Sequence, residues 1–183
     1  MVGSNERDHV YIQTLDKLEV LEEAILELLV LNKDLFKYLK FSDSDPLSHS
    51  ITDNDILDDL TVEFDSNGEL NPGCRVFFEP FIDSALTSHT AMLRIYPCEI
   101  DPEDIYVGDL FLQVDVIVHQ SISKIKDGRR RNRILAEVLR ALNGKSVGLV
   151  QHLRLIDKPV LLQQFKGDYW GWSLLLRCGV AGG

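Results

Sequence analysis

The residues best placed to do chemistry are four arginines within five positions, Arg129, Arg130, Arg131 and Arg133, in the run GRRRNR from Gly128. A guanidinium offers a planar fork of donors that suits carboxylate and phosphate. The run stands at the start of a helical pattern, where positive charge opposes the helix dipole. Something acidic approaching this end would relieve the misfit. Two sources suit it: nucleic acid, or an acidic patch on a neighbouring copy. The protein partner is favoured, because a chain of net charge −10 is a poor nonspecific DNA binder. The bland alternative is a solvated helix end, with Arg129 or Arg133 tied to Asp127 or Glu137.

Other candidates are weaker. His119 and His152 fall on strand-like segments and Cys178 near the end of a third, but a Cys/His nucleophile needs geometry that spacing does not supply. Asp43 and Asp45 suggest a calcium loop, yet no glycine or closing glutamate follows at the required place, and turn chemistry explains them. In Tyr169-Trp170-Gly171-Trp172, alternation puts both tryptophans on one face, for core packing or, less favoured, a stacking platform. No nucleophile elbow, phosphate-binding glycine loop or metal-ligand spacing occurs. No catalytic residue, cofactor or metal is therefore expected.

The elements that must position the arginines stand out around them. Leu110, Leu112, Val114, Val116 and Val118 alternate with Phe111, Gln113, Asp115, Ile117 and His119, which predicts a strand. The period then changes: Ile134, Leu135, Val138, Leu139 and Leu142 predict an amphipathic helix over 129–142, with Gly144 suited to the left-handed turn after it. Strands are predicted at 91–96, 147–156 and 170–177, and a short extended piece at 75–81, which Pro80 demotes to an edge. Residues 160–165 are short and extended or looped. Ahead of these, a helix over 12–31 and a second over 33–41 break near Asn32-Lys33, and Thr52 caps a short helix over 53–60. Residues 61–73 read as loop, with Asn67-Gly68 and Asn71-Pro72-Gly73 as turn signals.

Strands following one another without crossover helices predict an α+β fold. The expectation is a mostly antiparallel sheet of about four strands on one long helix, with an N-terminal helical extension. Residues 1–10 are expected to be disordered, 11–60 to form the extension, and 61–183 to form the α+β domain. The length of 183 residues fits one domain with an extension. No apolar run approaches the roughly 20 residues of a membrane helix, and the polar N-terminus lacks a secretory pattern. Three widely spaced cysteines suit a reducing compartment. Charge is divided: residues 1–109 hold 24 acids against 7 bases, and residues 110–183 hold 5 against 12. Halves of opposite sign suit contact between them, or head-to-tail contact between copies.

From about Arg94 onward the chain resembles bacteriophage head-to-tail joining and tail-terminator proteins. The resemblance is carried by Asp104-Ile105-Tyr106-Val107-Gly108-Asp109, LFLQVDVIVHQ, the helix and turn GRRRNRILAEVLRALNGKSVG and the strand YWGWSLLLRC. LFKYLKFSDSDPLS and RVFFEPFID resemble a recurrent neck pattern, and the whole covers about three quarters of the chain. It implies a non-enzymatic virion protein, assembled in the host cytoplasm, forming a hexameric or dodecameric ring between head or portal and tail. The alternatives are a head-closure or adaptor ring of the same neck, and a soluble module gripping nucleic acid through Arg129–Arg133. The implied partners are other copies of the chain, neighbouring neck, portal or tail-tube proteins, and DNA passing without sequence-specific contact, with no membrane. A ring contact would pair Arg129, Arg130, Arg131 and Arg133 with acids of the neighbour, such as Asp101, Glu103 and Asp104 or those of 53–65.

Overall fold

The computed structural model describes residues 18–78, 90–102, 107–147, 150–165 and 167–181. Among them, three helices lie on one face of a mixed sheet. The helices are α1 (Leu18–Val30), α2 (Lys33–Lys40) and α3 (Arg130–Leu142). The sheet is built on β2 (Ala91–Pro102), β3 (Val107–His119) and β10 (Tyr169–Ala181). The alternation in β3 decides which face is covered. Leu110, Leu112, Val114, Val116 and Val118 are buried with Leu93 and Ile95 of β2, with Leu174 and Leu176 of β10, and with α3. Each fully buried aliphatic side chain contributes about 1.5–3 kcal/mol.

The α+β class holds, and its details differ from expectation. Instead of about four strands, the sheet has eight: β1 (Val76–Phe77), β2, β3, β10, β7 (Val150–His152) and β6 (Ser146–Val147) in order, with β8 (Arg154–Leu155) and β9 (Val160–Phe165) also on β10. The single strand expected over 147–156 is instead three short pieces. β7, β8 and β9 follow one another along one side of β10, opposite Val180, then Leu176–Arg177, then Ser173–Tyr169. β1 is parallel to β2 and the other pairs are antiparallel. β2 runs past Pro97 because a register shift between Pro97 and Glu99 absorbs the proline, as a bulge does.

The covering layer also differs from one long helix. Leu21, Ile25 and Leu29 of α1, Leu35, Phe36 and Leu39 of α2, and Ile56 and Leu60 join Ile134, Val138 and Leu142 of α3 in one core. The helical residues of the first third are thus packed on the same sheet. The break between the first two helices has a cause: the Asn32 side chain caps α2 by accepting the Leu35 N–H at 3.2 Å. Its Nδ2 donates to Glu137 Oε2 at 3.1 Å, which ties the corner to α3. The short helix after Thr52 is wound with the π spacing over Asp55–Leu60, and Thr52 Oγ1 accepts the Asp55 N–H at 3.1 Å. The Asn67-Gly68 turn sits inside the isolated Phe64–Leu70 bridge, with Gly68 at φ 77°. Residues 1–17, the end of the 75–81 segment and the 103–106 stretch lie outside the described residues.

A second, smaller cluster lies on the opposite sheet face: Cys74, Phe77, Met92, Ile117 and Tyr169. Asp115 is buried there, cross-strand from Arg94, whose Nη2 donates to Asp115 Oδ2 at 2.5 Å. Tyr96 Oη (3.2 Å) and Gln113 Nε2 (3.1 Å) complete its shell. Removing one partner of such a buried pair strands the charge of the other.

Candidate functional site: the arginine-bearing end of the 130–142 helix

A small hairpin delivers the chain into α3. β4 (Lys124–Ile125) pairs with β5 (Gly128–Arg129), and Gly128 takes φ 125°, a backbone conformation side chains disfavour. The turn aims the four arginines in different directions.

Arg130 points inward and is fully buried. Its Nε donates to the Ile122 carbonyl at 2.9 Å, and its Nη1 to the Tyr38 carbonyl at 2.8 Å. Nη1 also bonds the Phe41 carbonyl, and Nη2 the Asp43 carbonyl at 2.5 Å. Tyr38 and Phe41 belong to the last turn and C-cap of α2, where orphan carbonyls are well satisfied by a cation, and Asp43 follows in the loop. Burial pulls the Arg130 pKa below the usual arginine value, with Asp43 and Tyr38 opposing the shift. The expectation that Arg130 meets an acid of a neighbour is therefore corrected: its donors are spent inside the chain. Arg133 is exposed but donates through Nε (3.2 Å) and Nη2 (2.6 Å) to the Asp127 carbonyl, bracing the turn. The bland reading thus holds for Arg133 through Asp127, while Glu137 pairs instead with Arg140.

Arg129 and Arg131 remain at the surface. With Gln120, Ser123 and Trp170 they line an open cavity of about 320 Å³. The Arg131 guanidinium lies over the Trp170 ring, 5.9 Å from its centroid, a cation–π geometry. Arg131 Nε has no hydrogen-bond partner among the described residues. Trp172, one alternation further along the same face, is half-buried on the core and donates through Nε1 to Asn132 Oδ1 at 2.9 Å. Packing thus accounts for Trp172, whereas Trp170 forms a plate beside two guanidinium groups. The sequence singled out the arginines and tryptophans separately. Their meeting, and the part of Gln120 and Ser123, depend on the strand register that sets Trp170 opposite Val118.

The remaining candidates are dispersed. Asp101 lies on β2 opposite Asp109, while Glu103 and Asp104 fall outside the described residues. Asp109 is buried and pairs with Arg177 at 2.5 Å. The Asp43 carboxylate accepts the Asp45 N–H at 2.8 Å, an Asx turn, and that bond chiefly lowers its pKa, with His49 assisting. Asp45 reaches Lys126 at 3.3 Å, so neither oxygen set is arranged around a cation. Among the described residues no group of three metal-ligating side chains occurs. Cys178 is opposite Leu110 and His119 opposite Tyr169 on the same strand pair, about 30 Å apart at strand spacing. Burial pushes the Cys178 thiol up to about 12, far from a thiolate at neutral pH.

A second surface was not foreseen. An apolar groove of about 580 Å³ runs between α1 and the 55–60 helix, lined by Leu26, Val30, Leu31 and Leu57 with Glu23 and Glu27. The spacing that buries Leu21, Ile25 and Leu29 leaves these leucines outside; only the number of apolar residues in LELLVL hinted at a second face. No described helix is long and apolar enough to cross a membrane.

The family model described as YomW matches residues 32–178, from the cap of α2 to three residues short of the end of β10. No curated protein matches the chain.

Proposed function

We propose that this chain, which belongs to the YomW family, is a structural protein that works by assembling with copies of itself. In this reading it forms a ring in the neck of a tailed bacteriophage virion, joining head or portal to tail as a tail terminator or tail completion protein. A head-closure or adaptor ring is the variant reading within the same neck. The chain performs no bond chemistry; its work is geometric. The ring presents matched surfaces to neck, portal or tail-tube neighbours and leaves a passage for DNA, and assembly takes place in the host cytoplasm.

The observation that carries the reading is the pair Arg129 and Arg131 flanking Trp170, on a chain whose first 109 residues are strongly acidic. Subunits of a ring meet through two different patches, and opposite charge suits that arrangement. The resemblance of LFLQVDVIVHQ, GRRRNRILAEVLRALNGKSVG and YWGWSLLLRC to neck proteins supports the placement in a virion. Electron microscopy of the purified full chain tests it. Closed rings that loosen as salt rises are expected; a monomer at every concentration, turning over a small substrate, refutes it.

The Arg131–Trp170 stack favours one other reading, a module that grips a nucleic-acid strand through stacking and phosphate contacts. Retention on immobilised DNA at physiological salt separates the two, strong retention favouring the second.

A further inference from the structure

We propose that the acid-rimmed apolar groove between α1 and the 55–60 helix is the seat for the Arg129–Arg131–Trp170 end of a second copy of this chain. The inference rests on the ring reading and names its interface.

Leu31 is 81% exposed and Leu57 47%, side by side in one groove. Apolar residues gathered in a concave surface mark contact sites more often than scattered ones do. The rim is acidic: Glu23 and Glu27 stand one turn apart on α1, and exposed Asp58 and Asp59 follow Leu57. A nucleic-acid strand is repelled by such a rim. The chain's own first 17 residues are a poor occupant as well, since Glu6, Asp8 and Asp16 outnumber Arg7 and Lys17. What fits is an apolar plate flanked by cations, which is the composition of the other end of α3.

Position supports the match. Leu31 also borders a depression shared with Arg140, Ala141 and Lys145, so the groove lies by the C-terminal end of α3. Arg129 and Arg131 stand at its N-terminal end. The two patches are separated along a helix about 20 Å long. Distinct complementary patches at opposite ends make a heterologous contact, which repeats from copy to copy and closes into a ring when the rotation permits. Glu23 and Glu27 then face the guanidinium groups of Arg129 and Arg131, and Trp170 covers Leu31 and Leu57.

The test is a charge exchange on the full chain, read by mass photometry and sedimentation at moderate salt, with far-UV circular dichroism to confirm folding. Glu23→Arg/Glu27→Arg spoils the groove; Arg129→Glu/Arg131→Glu spoils the patch. Each is expected to weaken assembly at least tenfold. Mixed in equal amounts, they should co-assemble in alternation, because the arginine patch of one meets the glutamate groove of the other and the glutamate patch meets the arginine groove. The chain carrying all four changes should assemble again. A groove variant that assembles like wild type, a mixture that stays monomeric, or a loss confined to the patch variant would overturn the proposal and leave the ring reading standing. A wild-type chain that never assembles would instead remove the ring reading itself.

Discussion

Replacing Arg130 with methionine separates an internal arginine from its neighbours in sequence. The side chain keeps its bulk and loses every donor. Four main-chain oxygens, of Ile122, Tyr38, Phe41 and Asp43, then face an apolar group. Hydrogen bonds from a charged donor contribute about 1.5–3 kcal/mol each. The gross sum for four is about 6–12 kcal/mol, against which stands the cost of holding a guanidinium out of water, several kcal/mol. Some of the freed carbonyls at the end of α2 regain water. The net loss is therefore about 3–5 kcal/mol, in the range measured when one member of a buried polar set is deleted. For a chain of this size each kcal/mol moves the melting temperature by about 2–4 °C, so a fall of about 6–20 °C is expected. Urea and thermal unfolding at two protein concentrations, low enough to keep the chain monomeric, measure it. Arg131→Met serves as the control and should leave the monomer within about 0.5 kcal/mol of wild type, as surface changes do. If Arg130→Met unfolds within 1 kcal/mol of wild type, the clamp contributes little and the reasoning fails. If its loss disappears on dilution, the residue acts between copies after all.

Other outcomes are expected from the same contacts. In β10, a Cβ on Gly171 would sit 1.8 Å from the Val116 carbonyl oxygen, so Gly171→Ala must part the two longest strands; it should cost more than about 3 kcal/mol or abolish folding, read by circular dichroism and expression of soluble chain. Cys98 is exposed while Cys74 and Cys178 are buried, with their thiols pushed up to about 11 and about 12 by burial. A maleimide at pH 7 should label Cys98 alone in the native chain, as mapped by mass spectrometry, and all three after denaturation. Because those two folded thiols hold their protons where the unfolded ones ionise, stability should fall as pH rises from about 9 towards 11, and Cys178→Ser should flatten the fall. Asp55, held low by Lys40 and Thr52, and Asp43, held low by the Asp45 N–H, act in the opposite direction. Their contribution is complete above the ordinary carboxylate range near 4 and is lost as pH falls from there through their lower folded values. The urea midpoint should therefore drop from pH 5 to pH 2, and less steeply in Asp55→Asn; a parallel profile in the variant would contradict the assignment.

The parts of the fold legible in the sequence were those where the period changes within one stretch. The end of β3 and both ends of α3 were placed within a residue, and the start of β3 within three, because valine alternation gives way to helical leucine spacing. α2 was legible through Leu35, Phe36 and Leu39 and the break near Asn32-Lys33, while the capping role of Asn32 was not. The edge of the sheet was not, since β7, β8 and β9 are held by pairing with β10 rather than by a period of their own. Pro97 hid the second half of β2, because a bulge that accommodates a proline leaves no compositional mark. At the site, Arg130 was misjudged by residue type. The signal against that judgement was positional: Arg130 precedes Ile134 by four residues and Val138 by eight, so it extends the buried stripe of α3. Its partners in α2 and just beyond it are 87 to 92 residues away, and no local pattern announces them. Trp170 and the groove at Leu57 likewise depend on which elements the sheet brings side by side.

If the chain assembles as proposed, the broken border of the sheet bears on how that assembly is limited. A long, regular outermost strand is a template onto which further chains can zip, without any limit on length. Here three fragments of two to six residues, β6 outside β7 and then β8 and β9, occupy that margin, and Lys158-Pro159 separates the last two. A proline and a lysine at a margin are the features that discourage such zippering. The proposed ring needs growth that stops, and a fragmented rim would steer copies away from fibre-like stacking.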